Sequence, residues 1–371
     1  MQAVPSRAAT RPYKVIRKVR ESEVVTSFYL APADGLPLAA FSPGQFLTFQ
    51  IPDPVRGGVI RRNYSLSGSP DWAGHYRISV KREAAPPTPT GCPPGLFSAH
   101  LHDAIDIGSE VLARGPEGRF VLEHGHDRPV LLLAGGVGLT PLAAMAHALA
   151  RSGGRKTYFI HACENGRVQA LGEELRALAA STDNLHLHVL YRSPLATDEL
   201  GRDHDSVGLI TPALLQSLLP LDDYDVYLCG PGPFMQSVFA QLIRLGVREE
   251  RIRYEFFGPA TLLRAVGAPE AAIAPPVAVA SPAPSGETPM VTFQRKGTAV
   301  AWDPGCATLL DFAEAQGLEP DFSCRAGICA TCLCDLVAGE VDYVTEPLEE
   351  PEAGKVLICC SRPRGDVTIG L

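Results

Sequence analysis

The sequence predicts a multi-domain chain in which an antiparallel β-barrel, an α/β domain around a parallel sheet and a smaller α+β domain follow one another. Three observations predict it. The 371 residues are more than one core commonly serves. Near residue 124 the pattern changes from short strands punctuated by Pro and Gly to strands alternating with helices. From Ala265 to Thr288 the chain is rich in Ala, Pro and Ser without helical or strand periodicity, which reads as a semi-extended linker. The expected division is therefore 10–124, 125–264, a linker at 265–288, and 289–371.

In the first segment the candidate strands are Tyr13–Arg20, Val24–Leu30, Gln45–Gln50, Asn63–Ser67, Arg77–Lys81 and Ser109–Ala113. Short strands so punctuated suit a small antiparallel barrel. The second segment alternates: strand Val130–Leu133, a helix from Pro141, strand Thr157–Ile160, helix Gly172–Ala180, strand Leu185–Tyr191, helix Pro212–Leu219, strand Asp225–Cys229 and helix Pro233–Leu245. Parallel strands with crossover helices are a nucleotide-binding layout. The longest apolar run, Pro129–Ala150, is divided by Gly135, Gly136, Gly138, Thr140 and Pro141 into a short buried strand and a helix, so no membrane span is expected.

Ten cysteines without an apolar N-terminal leader point to a reducing cytoplasm rather than a disulfide framework. The net charge of −8 is uneven: residues 289–371 hold 13 acidic against 6 basic residues. An acidic surface repels nucleic acid and suits docking on a basic protein patch, and a solvated face that aids solubility fits equally.

Cys324, Cys329, Cys332 and Cys359 stand in the C-x4-C-x2-C…C spacing by which four thiolates hold a [2Fe–2S] cluster. Residues 323–332 are small and include Gly327, as a loop wrapped around inorganic sulfur requires. Zinc also takes four thiolates, and Cys334 offers a spare ligand; its usual pattern, however, is two short Cys pairs. Cys359 and Cys360 are adjacent, and only one of them serves easily as the fourth ligand.

Gly135-Gly136-Val137-Gly138-Leu139-Thr140-Pro141 follows a strand and opens a helix. Its glycines let the backbone approach a pyrophosphate, Thr140 is expected to cap the helix, and Pro141 suits the first turn. Pro141 replaces the third glycine of the dehydrogenase fingerprint. Cys229-Gly230-Pro231 ends a strand, where open parallel sheets place ligands. The scattered histidines, His186 and His188 among them, form no hydrolytic constellation.

Arg62-Asn63-Tyr64-Ser65 matches the R-x-Y-S motif of the ferredoxin reductase superfamily. The types suit a flavin: arginine meets phosphate, tyrosine packs on the isoalloxazine, and serine hydrogen-bonds near N5. Phe41–Phe46, Ile78–Glu83 (with Val80 and Lys81) and Gly95–Asp103 (with Phe97) resemble the flanking flavin segments, the last receiving the diphosphate with Ser98 as N-cap. His161–Gly166 and Tyr254–Pro259 resemble the reductase portion of bacterial flavohaemoglobins. Residues 289–371 resemble a plant-type ferredoxin, which implies a β-grasp fold; its fourth ligand lies four residues before a proline, here Cys359 before Pro363. Cys306, Cys334 and Cys360 then read as small apolar groups.

The resemblance covers nearly the whole chain, in an order shared with phthalate dioxygenase reductase-like proteins. It implies an NAD(P)H-dependent reductase that carries electrons through FAD, with FMN as the alternative, to the [2Fe–2S] cluster and on to a separate terminal oxygenase. A hybrid cluster protein or a cytochrome P450 are other acceptors, and a redox-responsive binding module is a reading of another class. It implies catalytic roles for Ser65, for Cys229 beside the nicotinamide, and for Phe257 over the flavin ring. Phe46, Phe256, Gly258, Pro259, Gly230, Pro231, Val137 and Leu139 complete the implied cofactor contacts. Arg192 suits a 2′-phosphate or the bare surface, which leaves NADH and NADPH both open, with NADH favoured.

Overall fold

The computed structural model describes residues 10–52, 59–84, 95–125, 127–257, 288–318, 320, 322, 327, 332–344, 347 and 350–371. They fall into two compact units, Met1–Glu255 and Phe256–Leu371.

The first unit begins with β1 (Arg11–Arg20), β2 (Val25–Pro32), β3 (Phe46–Pro52), β4 (Val59–Ser65), β5 (Tyr76–Lys81), helix α1 (Leu96–Ala104) and β6 (Glu110–Glu117). The strands make one antiparallel sheet in the order β4-β3-β6-β1-β2-β5. A bridge between Leu66 and Ile78 brings the two outer edges together, so the sheet curls into the expected barrel. Tyr13, Phe28, Leu47, Phe49, Ile78 and Val80 fill it, and Phe97 and Leu101 of α1 join them. Lys18 fixes the far end of α1 by donating to the carbonyls of His102 at 3.0 Å and Ile105 at 2.7 Å.

Next come β7 (Val130–Gly135), α2 (Leu139–Ser152), β8 (Thr157–Cys163), α3 (Gly172–Ala180), β9 (Leu185–Tyr191), β10 (Ser206–Val207), α4 (Pro212–Leu218), β11 (Asp225–Cys229), α5 (Gly232–Arg244) and β12 (Ile252–Glu255). All six strands are parallel, in the order β10-β9-β8-β7-β11-β12. Every residue of β7 is buried, as in a strand covered by helices on both faces. The chain runs outward from β7 to β10, then returns to the other side of β7 as β11. The switch point between β7 and β11 is where such sheets open a ligand crevice. Edge strands β10 and β12 are additions to the sequence expectation, and α2 begins two residues before Pro141.

The second unit holds β13 (Met290–Phe293), β14 (Thr298–Ala301), α6 (Leu309–Ala315), β15 (Leu333–Ala338), β16 (Val341–Tyr343), β17 (Lys355–Leu357), β18 (Ser361–Pro363) and β19 (Val367–Ile369). Its mixed sheet runs β14-β13-β19-β15-β17, with the first and last strands of the chain segment paired in parallel at the centre. Phe293, Trp302, Leu310, Phe312, Ile358 and Ile369 make its core, in which α6 is held by the sheet. The expected linker lies almost wholly outside the described residues.

Candidate functional site

Strand β4 carries Arg62-Asn63-Tyr64-Ser65 against β3, with Phe46 opposite Ser65 and Thr48 opposite Asn63. Thr48 donates from Oγ1 to Asn63 Oδ1 at 2.9 Å, which fixes the amide. The Tyr64 ring lies 5.8 Å from both Phe49 and Phe97, and burial pushes its phenol above the ordinary value, so it stays protonated. Arg62 is exposed, Ser65 and Phe46 are buried, and Lys81 reaches Glu83 at 3.1 Å.

Helix α1 starts after Gly95 with no side-chain cap and no acidic residue in its first turn. Ser98 is not the N-cap the sequence suggested, because the helix begins two residues earlier. Its hydroxyl donates to Gly95 O at 3.0 Å and accepts from Glu83 N at 3.1 Å, tying the helix start to the end of β5. The bare amides and the positive dipole end fit the diphosphate of a flavin dinucleotide.

At the switch point, Gly136–Gly138 form a single 3-10 turn between β7 and α2. A side chain at Gly138 would put its Cβ 2.3 Å from the Cys229 carbonyl oxygen, so the turn packs on the end of β11 only because that residue is glycine. Thr140 also departs from expectation: it lies inside α2 and donates to Val137 O at 3.1 Å, leaving the start of α2 without a side-chain cap. Pro141 lies in the first turn. Pro231 precedes α5, which is likewise uncapped and free of acidic residues in its first turn. Two bare helix starts thus converge on the crevice, a fit for a pyrophosphate. Cys229 is fully buried, and burial, reinforced by Glu255, pushes its thiol well above the ordinary value, so it stays a neutral thiol rather than a nucleophile.

In the second unit Cys332 and Cys359 are buried, and the Gly327 amide donates to Cys359 Sγ at 3.3 Å. Gly327 has φ +72°, and a Cβ there would meet Cys360 Sγ at 2.8 Å. Amide-to-sulfur bonds of this kind suit a cluster thiolate. The neighbouring Cys360 instead directs its Sγ to Leu357 O at 3.4 Å. Cys324, Cys329, Gly258 and Pro259 lie outside the described residues; Phe256 and Phe257 directly follow β12. Of the expected apolar cysteines, Cys360 is buried while Cys306 and Cys334 are half-buried.

Sequence reasoning missed the ion pairs. Arg77, fully buried in β5, donates through both terminal nitrogens to Glu174 of α3 and also holds Ser67 O at 2.6 Å. His147 of α2 reaches the same carboxylate at 2.7 Å. Burial alone would raise Glu174, but the hydrogen bonds from Arg77 and His147 outweigh it and hold the carboxyl at about 2. At the opposite, N-terminal end of β11, buried Asp225 gathers Arg128, Arg155 and Arg251. No pattern in a single sequence marks partners 97 residues apart.

Three family descriptions match in series: oxidoreductase FAD-binding domain at residues 12–122, oxidoreductase NAD-binding domain at 132–239, and 2Fe-2S iron-sulfur cluster binding domain at 291–364. The flavohem-like FAD/NAD binding domain of a nitric oxide dioxygenase from Vibrio cholerae is 36% identical, with a TM-score of 0.58, over 67% of this chain and 99% of that one. The chain belongs to the flavohem-like FAD/NAD-binding oxidoreductases. Within that family it carries an added 2Fe-2S domain, so its cofactors are FAD, NAD(P)H and a [2Fe–2S] cluster. A flavohemoprotein of Rhodopirellula baltica is 44% identical over 259 residues, which are 69% of this chain. The chain spans about three fifths (62%) of the length of that relative. Phthalate dioxygenase reductase, 22% identical, shares the fold over 98% of both chains with a TM-score of 0.59. Among the described residues, no helix is long and apolar enough to cross a membrane.

Proposed function

We propose that this oxidoreductase takes electrons from NADH and passes them through FAD and its [2Fe–2S] cluster to a separate terminal oxygenase of the Rieske type. One observation carries the reading: strand β5, next in the barrel after the Arg62–Ser65 strand, lies beside the glycine turn 136–138. The flavin-binding and nucleotide-binding elements therefore share one wall. When bound, the three groups supply hydride chemistry, its division into single electrons, and one-electron storage.

The chain's own part is to bind and orient. Arg62 and the start of α1 meet the flavin phosphates, Tyr64 packs on the ring, and the buried Ser65 hydroxyl hydrogen-bonds at N5. The starts of α2 and α5 hold the dinucleotide, and Cys229 walls the nicotinamide. Cys324, Cys329, Cys332 and Cys359 hold the irons, with the Gly327 amide on Cys359. NADH is preferred because exposed Arg192 already faces Glu164 at 4.0 Å, a carboxylate that repels a 2′-phosphate. A reducing cytoplasm suits the thiols.

Purified chain plus NADH should reduce ferricyanide and cytochrome c steadily, and drive product formation when a Rieske oxygenase and its substrate are added. Reduction of a hybrid cluster protein or a cytochrome P450 at a higher rate would reassign the acceptor. Zinc in place of iron, with acid-labile sulfide absent, would sink the proposal, and so would binding without turnover.

A further inference from the structure

His161 stands in β8, paired in register with Ala134 of β7 and Val189 of β9, and has no exposed surface. Its Nε2 lies 3.2 Å from the carbonyl oxygen of Gly136, in the turn that opens α2. A carbonyl only accepts, so Nε2 carries the proton and Nδ1 is a bare acceptor. That Nδ1 is buried and has no partner among the described residues. An apolar side chain would avoid leaving such a group unmade, so the imidazole needs a reason to be there.

The reason lies in the peptide it grips. Gly136 O accepts from His161 and from the Leu139 amide, and both draw it toward the body of the domain. In a trans peptide the carbonyl and the following N–H point in opposite directions, so the Val137 amide is turned the other way. We propose that His161 is a positioning residue that fixes the 136–137 peptide so that Val137 N–H faces the dinucleotide phosphates. It touches no reacting atom. Burial pushes the imidazole down to about 4, against a weaker pull upward from the Gly136 carbonyl, so the grip is that of a neutral ring throughout the physiological range.

This inference rests on the nucleotide reading above, and its test separates the two. In the full-length holoprotein, His161→Leu removes the donor, while His161→Gln keeps an N–H at similar reach. NAD⁺ affinity is measured by calorimetry, KM and kcat with NADH and ferricyanide, and hydrogen exchange at the Leu139 amide. The Leu variant should bind NAD⁺ about tenfold more weakly, as loss of one hydrogen bond implies, with KM raised, kcat little changed and faster exchange. The Gln variant should restore all three. Equal affinity in the Leu variant, or a Gln variant as weak as Leu, overturns the proposal. If the Leu variant does not fold, His161→Asn, whose amide is too short to reach Gly136, takes its place under the same outcomes. Wild-type chain that binds no NAD⁺ sinks the nucleotide reading instead. Exchange then decides the grip: faster in Leu alone upholds it, and equal in all three overturns it.

Discussion

The six α-helices of the described residues start in two ways, and the difference marks where ligands go. Helix α4 is closed by Thr211, which accepts from Leu214 N at 3.1 Å, and α6 by Thr308, which accepts from Asp311 N at 3.2 Å. Helix α3 has no side-chain cap but brings Glu173 and Glu174 into its own first turn. Helices α1, α2 and α5 have neither a cap nor an acid. Each bare start forgoes about 1 kcal/mol that a Ser or Thr would supply. On the proposed reading the capped or acid-bearing helices are scaffold, while the three with neither feature open on the flavin and the nucleotide.

The contrast breaks most visibly at α3. Glu174→Ala should cost about 3 kcal/mol in thermal or urea unfolding, because it leaves buried Arg77 without its carboxylate. Unchanged stability would mean that buried Arg77 does not depend on this carboxylate. The same residue gives a pH signature. Its folded pKa of about 2 lies below the ordinary 4.5, so its contribution is full above about pH 4.5 and is lost as pH falls toward 2. Wild-type stability should therefore drop more steeply over that window than that of Glu174→Gln, and parallel curves would contradict the assignment.

A smaller effect is expected at the crevice. Gly138→Ala drives a Cβ into the Cys229 carbonyl and should lower NAD⁺ affinity roughly a hundredfold, about 2–3 kcal/mol, while FAD absorbance persists. Calorimetry decides it, and wild-type affinity would show that the turn is not the phosphate seat. At α1, Leu96→Glu places a carboxylate on the bare start at a 41% exposed position. FAD retention on dialysis should fall about tenfold even as the empty helix gains about 0.5 kcal/mol from its dipole. Tighter flavin binding would reverse our view of that end. Least of all, Thr211→Ala should cost about 1 kcal/mol and change neither FAD nor NAD⁺ binding. A cofactor effect there would erase the distinction between the two groups of helices.

Much of this was legible in the residues. Helix α3 and strands β9 and β11 run as the sequence predicts, because apolar runs bounded by turns specify buried parallel strands and their crossovers locally. Strands β10 and β12 escaped, being edge pieces of two and four residues whose only signal is a remote partner. Ser98 and Thr140 misled for a different reason. Each sits near a helix start, but both helices begin one to two residues earlier, and the hydroxyls donate back to carbonyls of the preceding turn instead of accepting from amides of their own helices. The cysteine spacing was visible; the Gly327 amide on Cys359 was not, since residues 32 positions apart meet only in the fold.

Strand β19 lies at the centre of the second sheet, flanked by β13 and β15, yet it is the last element of the segment. Until Val367–Ile369 are supplied there is no sheet to close behind Cys332 and Cys359. During synthesis the barrel and its neighbour are complete long before the thiol pocket exists. The last strand of the segment to leave the ribosome is thus the one that joins the two halves of that sheet.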